Sequence, residues 1–430
     1  MSLSWRIVLP VWLSIQMLPG ITLAEAVKPS FTSPEHIIIG DQITLRLSAE
    51  GPEQAGLPLN LPNGLRFTYG EILAIPDFYS VVDQAVSLGR TDEERKARFM
   101  TAFNSFAVNM DAKTEANKIT VIMHDEQKRL EDGIKAGEKE EDIYKKIGYA
   151  FDIKYNCVTG GGCDEATWLI HWGRYLSLVN SKSNYDHFGD NAIITYQTGH
   201  QLALEQAVLA RITGDVKKLE TAYAINAFAC HFITDRFASG HMRTPRLELA
   251  EFSTPKTAGA LLAHYMHNEE NESGLHVYNI RGDHWLAFGD KSYFNSKSQE
   301  HLNIMRETLQ NSADAVFAAY QQGSTHIGDI VMNLIPQPQE TANASKIDVS
   351  PLFYWDNKLK KLMRRCNLSN YFDKCWKENW IALTTLLELQ LQRGFSDVEQ
   401  ASLAHSEQRK QALHDGLITN PYLIEYVKNS

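Results

Sequence analysis

The sequence predicts a mainly α-helical fold, and three stretches carry that expectation. Thr221 to Arg246, TAYAINAFACHFITDRFASGHMRTPR, is apolar on nearly every side in its first half, the pattern of a helix buried all round. AIITYQTGHQLALEQAVLA places leucine and alanine at helical spacing. Residues 80–150, including EEDIYKKIGYAFDIKY, are charge-rich with a helical period, as solvated helix faces are. No internal repeat signals a solenoid.

In chain order, residues 1–26 read as a secretory signal. Arg6 lies in a short n-region, an apolar run broken by Pro10 and Pro19 follows, and Ala24-Glu25-Ala26 supplies a small-x-small cleavage site. No later run is as apolar, so the mature chain is expected to be exported, through the periplasm to the outside, without a transmembrane segment. Cysteine usage agrees. Cys157 and Cys163 flank a glycine-rich turn and Cys366 and Cys375 are similarly close, so two local disulfides are expected in an oxidising compartment. Cys230 is left over inside the buried helix as an apolar filler.

With 430 residues, 43% of them apolar, the chain can bury a large core. Its net charge of -10 argues against a general nucleic-acid binder, which shows a basic face. The expected organisation is a catalytic domain over 27–340, with a helical insertion at about 80–180, and a helical C-terminal extension over 341–430. There ALTTLLELQLQ and EQASLAHSEQRKQALHDGL read as amphipathic helices.

The chemistry concentrates in the opening stretch. His231 and Asp235 are four apart, on one helical face, and His241 follows six residues later, past a Gly240 expected to stop the helix. Burying an ionisable pair is costly unless something compensates it, and an imidazole–carboxylate–imidazole set is a zinc ligand type. Asp186 at the approach to the next helix reads as a cap, with His187 beside it as a ligand. Downstream, His267 and Glu270 are three apart and complete a second set with His241, with Glu269 the competing carboxylate. Asp77 follows Pro76 in a turn or at a helix boundary, and His36 lies near the mature N terminus. His200 reads equally well as a hydrogen-bonded helix histidine, and Trp285 as a pocket wall or a buried structural residue.

The order Asp77, His187, His231-x3-Asp235-x5-His241, His267-x2-Glu270 resembles the zinc-dependent phospholipase C family. That family shares an all-helical fold with single-strand-specific nucleases of the P1 type, and the likeness is greatest to its secreted Legionella-type bacterial branch. TYGEILAIPDFYS, NYDHFGDNAIITYQTGH, NAFACHFITDRFASGHMRTPR and MHNEENESGLHVYN carry the resemblance, which covers roughly residues 30 to 300. It implies a cluster of two to three zinc ions. His187, His231 and Asp235 would hold one ion, His241, His267 and Glu270 a second, and His36 with the mature N terminus a third. Asp77 would orient or deprotonate the attacking water. The implied activity is hydrolysis of phosphatidylcholine-like lipids at a membrane surface to diacylglycerol and a phosphorylated head group. A P1-like nuclease or phosphomonoesterase is the runner-up, and a non-catalytic exported binding protein the alternative of a different class. The chain departs from the family in lacking an N-terminal Trp ligand, in the three-residue spacing of its last His and Glu, and in lacking a sequence-visible C-terminal β-sandwich.

Overall fold

The computed structural model describes residues 33–328, 330–338, 349–393, 407–418, 424, 427 and 428. The expected signal, residues 1–26, lies outside them. As the periodicities predict, the fold is mainly helical. Helices α1 (Ser33–Gly40) and α2 (Tyr69–Ala74) come first, then α3 (Asp92–Ala107), α4 (Ala112–Lys135), α5 (Glu140–Val158) and α6 (Arg174–Val179). A 3₁₀ turn at Lys182–His187 leads into α7 (Gly189–Thr213), followed by α8 (Val216–Phe237), α9 (Ser239–Met242), α10 (Arg246–Phe252) and α11 (Lys256–Ser273). The last two are α12 (Gln299–Gln322) and α13 (Ala382–Arg393).

Helix α8 is the axis of the molecule. Every residue from Ala222 to Phe237 is buried, so the helix has no solvated stripe, and α2, α7 and α12 pack around it. Alanines at 222, 224, 227 and 229 are small enough to let those neighbours approach. Asp215 starts the helix by accepting from the Lys217 amide. The helices of 92–179 carry Phe99, Phe103, Ile119, Met123 and Tyr155 into the same apolar core, so the expected insertion is helical yet shares the main core. Among the described residues no helix is long and apolar enough to cross a membrane.

Two short helices hold the N-terminal side of the site. α2 begins with a capping box, in which Thr68 accepts from the Glu71 amide and Glu71 from the Thr68 amide. α1 lies directly on it. A Cβ on Gly70 would come within 2.4 Å of the Ile37 carbonyl oxygen, so only glycine permits that approach.

The C-terminal extension is helical only in part. α13 coincides with ALTTLLELQLQ, and residues 407–414 are helical. However, Phe353–Asp356, Lys361–Arg365 and Trp376–Lys377 form an antiparallel sheet with the middle segment at its centre. Asp356 turns the first hairpin by accepting from the Lys358 and Leu359 amides, and the Cys366–Cys375 disulfide closes the second connection. Phe353 and Leu362 of this sheet pack against Leu262 and Met266 of α11. Cys157 and Cys163 are also bonded, and Cys230 is free and buried, as expected.

The extension is locked to α11 through one buried carboxylate. Glu269 receives Arg365 at 2.8 and 3.0 Å and Arg393 at 2.6 Å. It is therefore no metal ligand in this structure. Both guanidiniums hold its pKa down against the burial that would raise it. We predict that Glu269→Gln, which leaves two buried cations uncompensated, costs about 3–5 kcal/mol. Urea unfolding measures this, and a loss below about 1 kcal/mol would show that the extension does not depend on this pair.

Candidate metal centre

The first cluster forms where α8 meets α1, the turn after α2 and the 3₁₀ turn before α7. Asp77 stands just beyond α2, in the turn closed by the Phe78 amide on the Ile75 carbonyl at 2.9 Å. His187 Nδ1 lies 2.6 Å from Asp235 Oδ2 and 3.1 Å from His231 Nε2. His231 Nε2 is 3.3 Å from Asp77 Oδ1 and 3.2 Å from Asp235 Oδ2. On the far side of the same carboxylate, His36 Nε2 is 3.5 Å from Asp235 Oδ1. Asp235 thus offers one oxygen to His187 and His231 and the other to His36.

Hydrogen bonds behind these groups fix which nitrogens face inward. His231 Nδ1 donates to the Leu73 carbonyl at 2.9 Å, which leaves the Nε2 lone pair toward Asp77 and Asp235. The Thr234 hydroxyl donates to the His231 carbonyl at 2.7 Å, so it accepts from His36 Nδ1 at 2.9 Å, and His36 Nε2 also presents a lone pair. Nitrogen lone pairs aimed at carboxylates repel unless a cation lies between them. Backing hydrogen bonds of this kind orient metal-ligating imidazoles.

Asp77 supplies an independent observation. Its side chain is fully buried, and neither oxygen has a hydrogen-bond partner among the described residues. A buried carboxylate left this way is strongly unfavourable, and a cation held through one oxygen would compensate its charge and leave the other oxygen for a water. Asp77, His187 and His231 on one side, and His36, His231 and Asp235 on the other, have ligand atoms close enough to share an ion. The donor set of imidazole nitrogen and carboxylate oxygen fits zinc.

A second cluster lies across the His187 backbone. His241 Nδ1 donates to the His187 carbonyl at 3.0 Å, and the Phe188 ring stacks on His241 at 4.5 Å. Gly240 does not stop α8, which ends at Phe237. It sits inside the short α9, where a Cβ would come within 2.5 Å of the His267 carbonyl. Its role is to let α9 touch α11 and bring His241 to His267.

The third member of this cluster is Asp290, which the sequence reading missed. Asp290 Oδ2 is 3.2 Å from His267 Nε2 and 3.5 Å from His241 Nε2, and these three form a possible metal group. Glu270, the expected ligand, turns away from it to accept from Arg243 Nε at 2.6 Å. Its Oε2 is buried without a hydrogen-bond partner among the described residues, but the ligand atoms that converge with His241 and His267 are those of Asp290. Asn271, four residues on, points there instead. Its Oδ1 accepts from the Gly240 amide at 2.6 Å, and its Nδ2 bonds Asp290 at 2.9 Å and His267 Nε2 at 3.2 Å.

Other candidates fall outside both clusters. His200 Nδ1 bonds the Asn226 side chain at 2.8 Å, and Trp285 is buried with Nε1 donating to His301. Asp186 caps another segment, accepting from the Val86 and Ser87 amides.

The titration behaviour follows the geometry. Burial alone would lower the His231 pKa, yet Asp235 and Asp77 raise it to about 10. Burial opposes Asp290 at His241 in the same way, and that imidazole rises to about 9. Desolvation and the neighbouring His231 push His36 down to about 4. Asp235 is held well below the usual carboxylate range, against burial, by His231 and His187. In the metal-free chain protons therefore occupy the places a cation would take. The second cluster opens onto a cleft of about 540 Å³ lined by Asn268, Asn271, Phe288, Asp290, Lys291 and Phe294, among others. That size suits a small organic ligand.

No family model matches the chain, and neither a curated protein nor a solved structure is significantly similar to it.

At pH 7 zinc loading of metal-free protein releases about two protons, from His231 and His241. Calorimetry in buffers of different ionisation enthalpy counts them, and zero release would contradict the arrangement. With folded values above the unfolded 6.5, these imidazoles stabilise metal-free protein fully below pH 6.5, and lose that effect as pH rises toward about 9 and 10. Asp290→Asn lowers bound zinc by one ion while Glu270→Gln leaves the stoichiometry unchanged. Native mass spectrometry reads both, and the reverse result would restore Glu270 as ligand.

Proposed function

We propose that the chain is an exported, zinc-dependent phosphodiester hydrolase of the phospholipase C kind, acting on phosphatidylcholine-like lipids. The observation that carries this reading is the convergence of Asp77, His187, His231, Asp235 and His36, with the Nε2 atoms of His231 and His36 turned inward by backing hydrogen bonds and no Lys or Arg among them. His241, His267 and Asp290 lie immediately beside them. In this reading Asp77, His187, His231 and Asp235 hold one ion, His36 shares Asp235 with another, and His241, His267 and Asp290 hold a third. Zinc bound there would neutralise the phosphodiester charge and make a water nucleophilic near neutral pH.

The chain's own residues have distinct tasks. Asp77, with no competing hydrogen bond, is free to orient a water and take its proton. The Asn268 side chain and the Leu73, His187 and His231 carbonyls act through the imidazoles, directly or by way of Thr234, and hold them in place. The cleft beside Asp290 combines apolar Phe288, Phe294 and Ile134 with three lysines and five carboxylates, so the phosphate charge of a substrate would have to be met by the metal ions and not by the cleft wall. A nuclease using the same metals is the second reading. The net charge of -10 weighs against it, because polynucleotide affinity comes largely from neutralising phosphates with basic side chains.

One preparation tests the proposal. Metal content is determined, and hydrolysis of phosphatidylcholine and of single-stranded DNA is assayed with and without chelator. Lipid hydrolysis is expected to vanish with chelator and return with zinc, and Asp77→Asn is expected to lower kcat by about 10²- to 10⁴-fold. Full lipid turnover by metal-free protein, or by Asp235→Asn, would sink the mechanism, and cleavage of DNA alone would select the nuclease.

A further inference from the structure

A second, smaller cavity of about 50 Å³ lies where α1, the end of α8, the loop bearing Asp290 and the start of α12 meet. His36 and Asp290 stand in its wall, so it borders both metal clusters. The rest of the wall is largely apolar, with Ile39, Phe288 and Met305 among its members. His301 completes it. This residue is in the first turn of α12, one helical turn before Met305 on the same face, and its ring lies 5.7 Å from that of Phe237, the last residue of α8.

The protonation of His301 is fixed from outside the cavity. Trp285 Nε1 donates to its Nδ1 at 3.1 Å, and an indole nitrogen can only donate. The neutral ring therefore carries its proton on Nε2. Burial pushes the His301 pKa down to about 4, so that form holds at neutral pH. Nε2 has no hydrogen-bond partner among the described residues, and it is not one of the atoms sealed from solvent, as the unpaired Ser298 hydroxyl in the same wall is. The charged and imidazole neighbours differ. His36 is held by Thr234 and Asp235, the Glu35 carboxylate by the Lys291, Ser292 and Tyr293 amides, and Asp290 by Asn271 and two imidazoles. The cavity thus presents an unengaged N–H in a mostly apolar wall.

Those features select a ligand. An anion is opposed by the Asp290 carboxylate, and a neutral imidazole adds no charge to offset it. A pure hydrocarbon would leave the N–H unpaired. What fits is a neutral acceptor oxygen flanked by carbon. A cavity of about 50 Å³ has room for roughly four water-sized groups, enough for an ester and an adjoining methylene. We propose that this cavity is the subsite for an acyl-ester group of the lipid, whose carbonyl oxygen accepts from His301 Nε2–H. The inference rests on the phospholipase reading above, and it adds a part of the substrate that a nucleic acid does not have.

The test compares 1,2-dibutanoylglycerol with 1,2-di-O-butylglycerol, which keeps the carbon chains and lacks the carbonyls. Both are titrated by calorimetry into the full chain treated with chelator. The ester is expected to bind about 5-fold more tightly, the worth of one net hydrogen bond, and to shift the His301 Nε2 resonance in nitrogen–proton spectra of histidine-labelled protein. His301→Asn keeps an oxygen for Trp285 and removes the donor, so the two affinities are expected to become equal. His301→Gln keeps a donor at the Nε2 position and is expected to retain the preference, a split between the variants that a purely structural histidine would not produce. Wild-type protein that binds neither probe or both equally, an unmoved Nε2 resonance, or an Asn variant with the wild-type preference would overturn the proposal. If the Asn variant does not fold, the wild-type preference and resonance still decide. Neither probe contains phosphorus and no metal is present, so failure here leaves the hydrolysis reading standing. Loss of lipid hydrolysis with this preference intact would fault that reading alone.

Discussion

Three carboxylates, buried Asp77 and Asp235 and half-buried Asp290, lie against imidazoles, and their charge is what the surrounding structure must answer. Asp77 takes no hydrogen bond from the chain, and Asp235 and Asp290 have histidine nitrogens as their nearest cationic partners. Desolvating such groups is tolerable only with close positive charge. Protons on His231 and His241 meet the need in part, and a divalent cation would meet it with no lone-pair conflict. Much of the local architecture can be read as fixing those lone pairs. The Leu73, His187 and His231 carbonyls belong to backbone that cannot move without disturbing α2, the 3₁₀ turn or α8.

The fold supplies that rigidity by burying the ligand-bearing helix on all sides. α8 presents Asn226 and Cys230 to Tyr69 and Ser312 one turn before the ligands. A small satisfied polar network thus locks its rotation next to the site that needs it. Glu35 does the corresponding work for the loop bearing Asp290. Its carboxylate accepts from the Lys291, Ser292 and Tyr293 amides, one residue before His36. The two sides of the centre are therefore built from a single short segment of α1.

What could be read from the sequence was what local periodicity controls. His231 and Asp235 share a face because helix geometry puts residues four apart together, and the buried character of α8 was visible in its unbroken apolar composition. His187 and Asp77 were placed by turn chemistry and by resemblance, and both arrive at the first cluster. Asp290 was invisible because it lies on a loop after a short strand, brought to α11 by tertiary contacts with Asn271 and Glu35. Glu270 was expected from its spacing to His267 and from the resemblance, with Glu269 as the competing carboxylate, whereas the residue that reaches Asp290 is Asn271, one helical position further on. The 353–377 strands were missed because they are two to five residues long and interrupted by charge, leaving no alternation to detect.

Asp235 makes the cluster more than a sum of sites. Its Oδ2 faces His187 and His231, while its Oδ1 faces His36, so one carboxylate serves both sides. A cation on one side draws electron density from the shared group and weakens it as a ligand for the other, yet it also fixes the rotamer that the second ion requires. In water the first effect would dominate. Here Asp235 is buried and its orientation is set by a helix that cannot rotate, so little rotamer freedom is left for a first ion to remove. The coupling that remains is electrostatic. Ions held on the two sides would repel through a medium of low dielectric, and the shared Asp235 carboxylate, lying between them, is the chain's own group that would offset that repulsion.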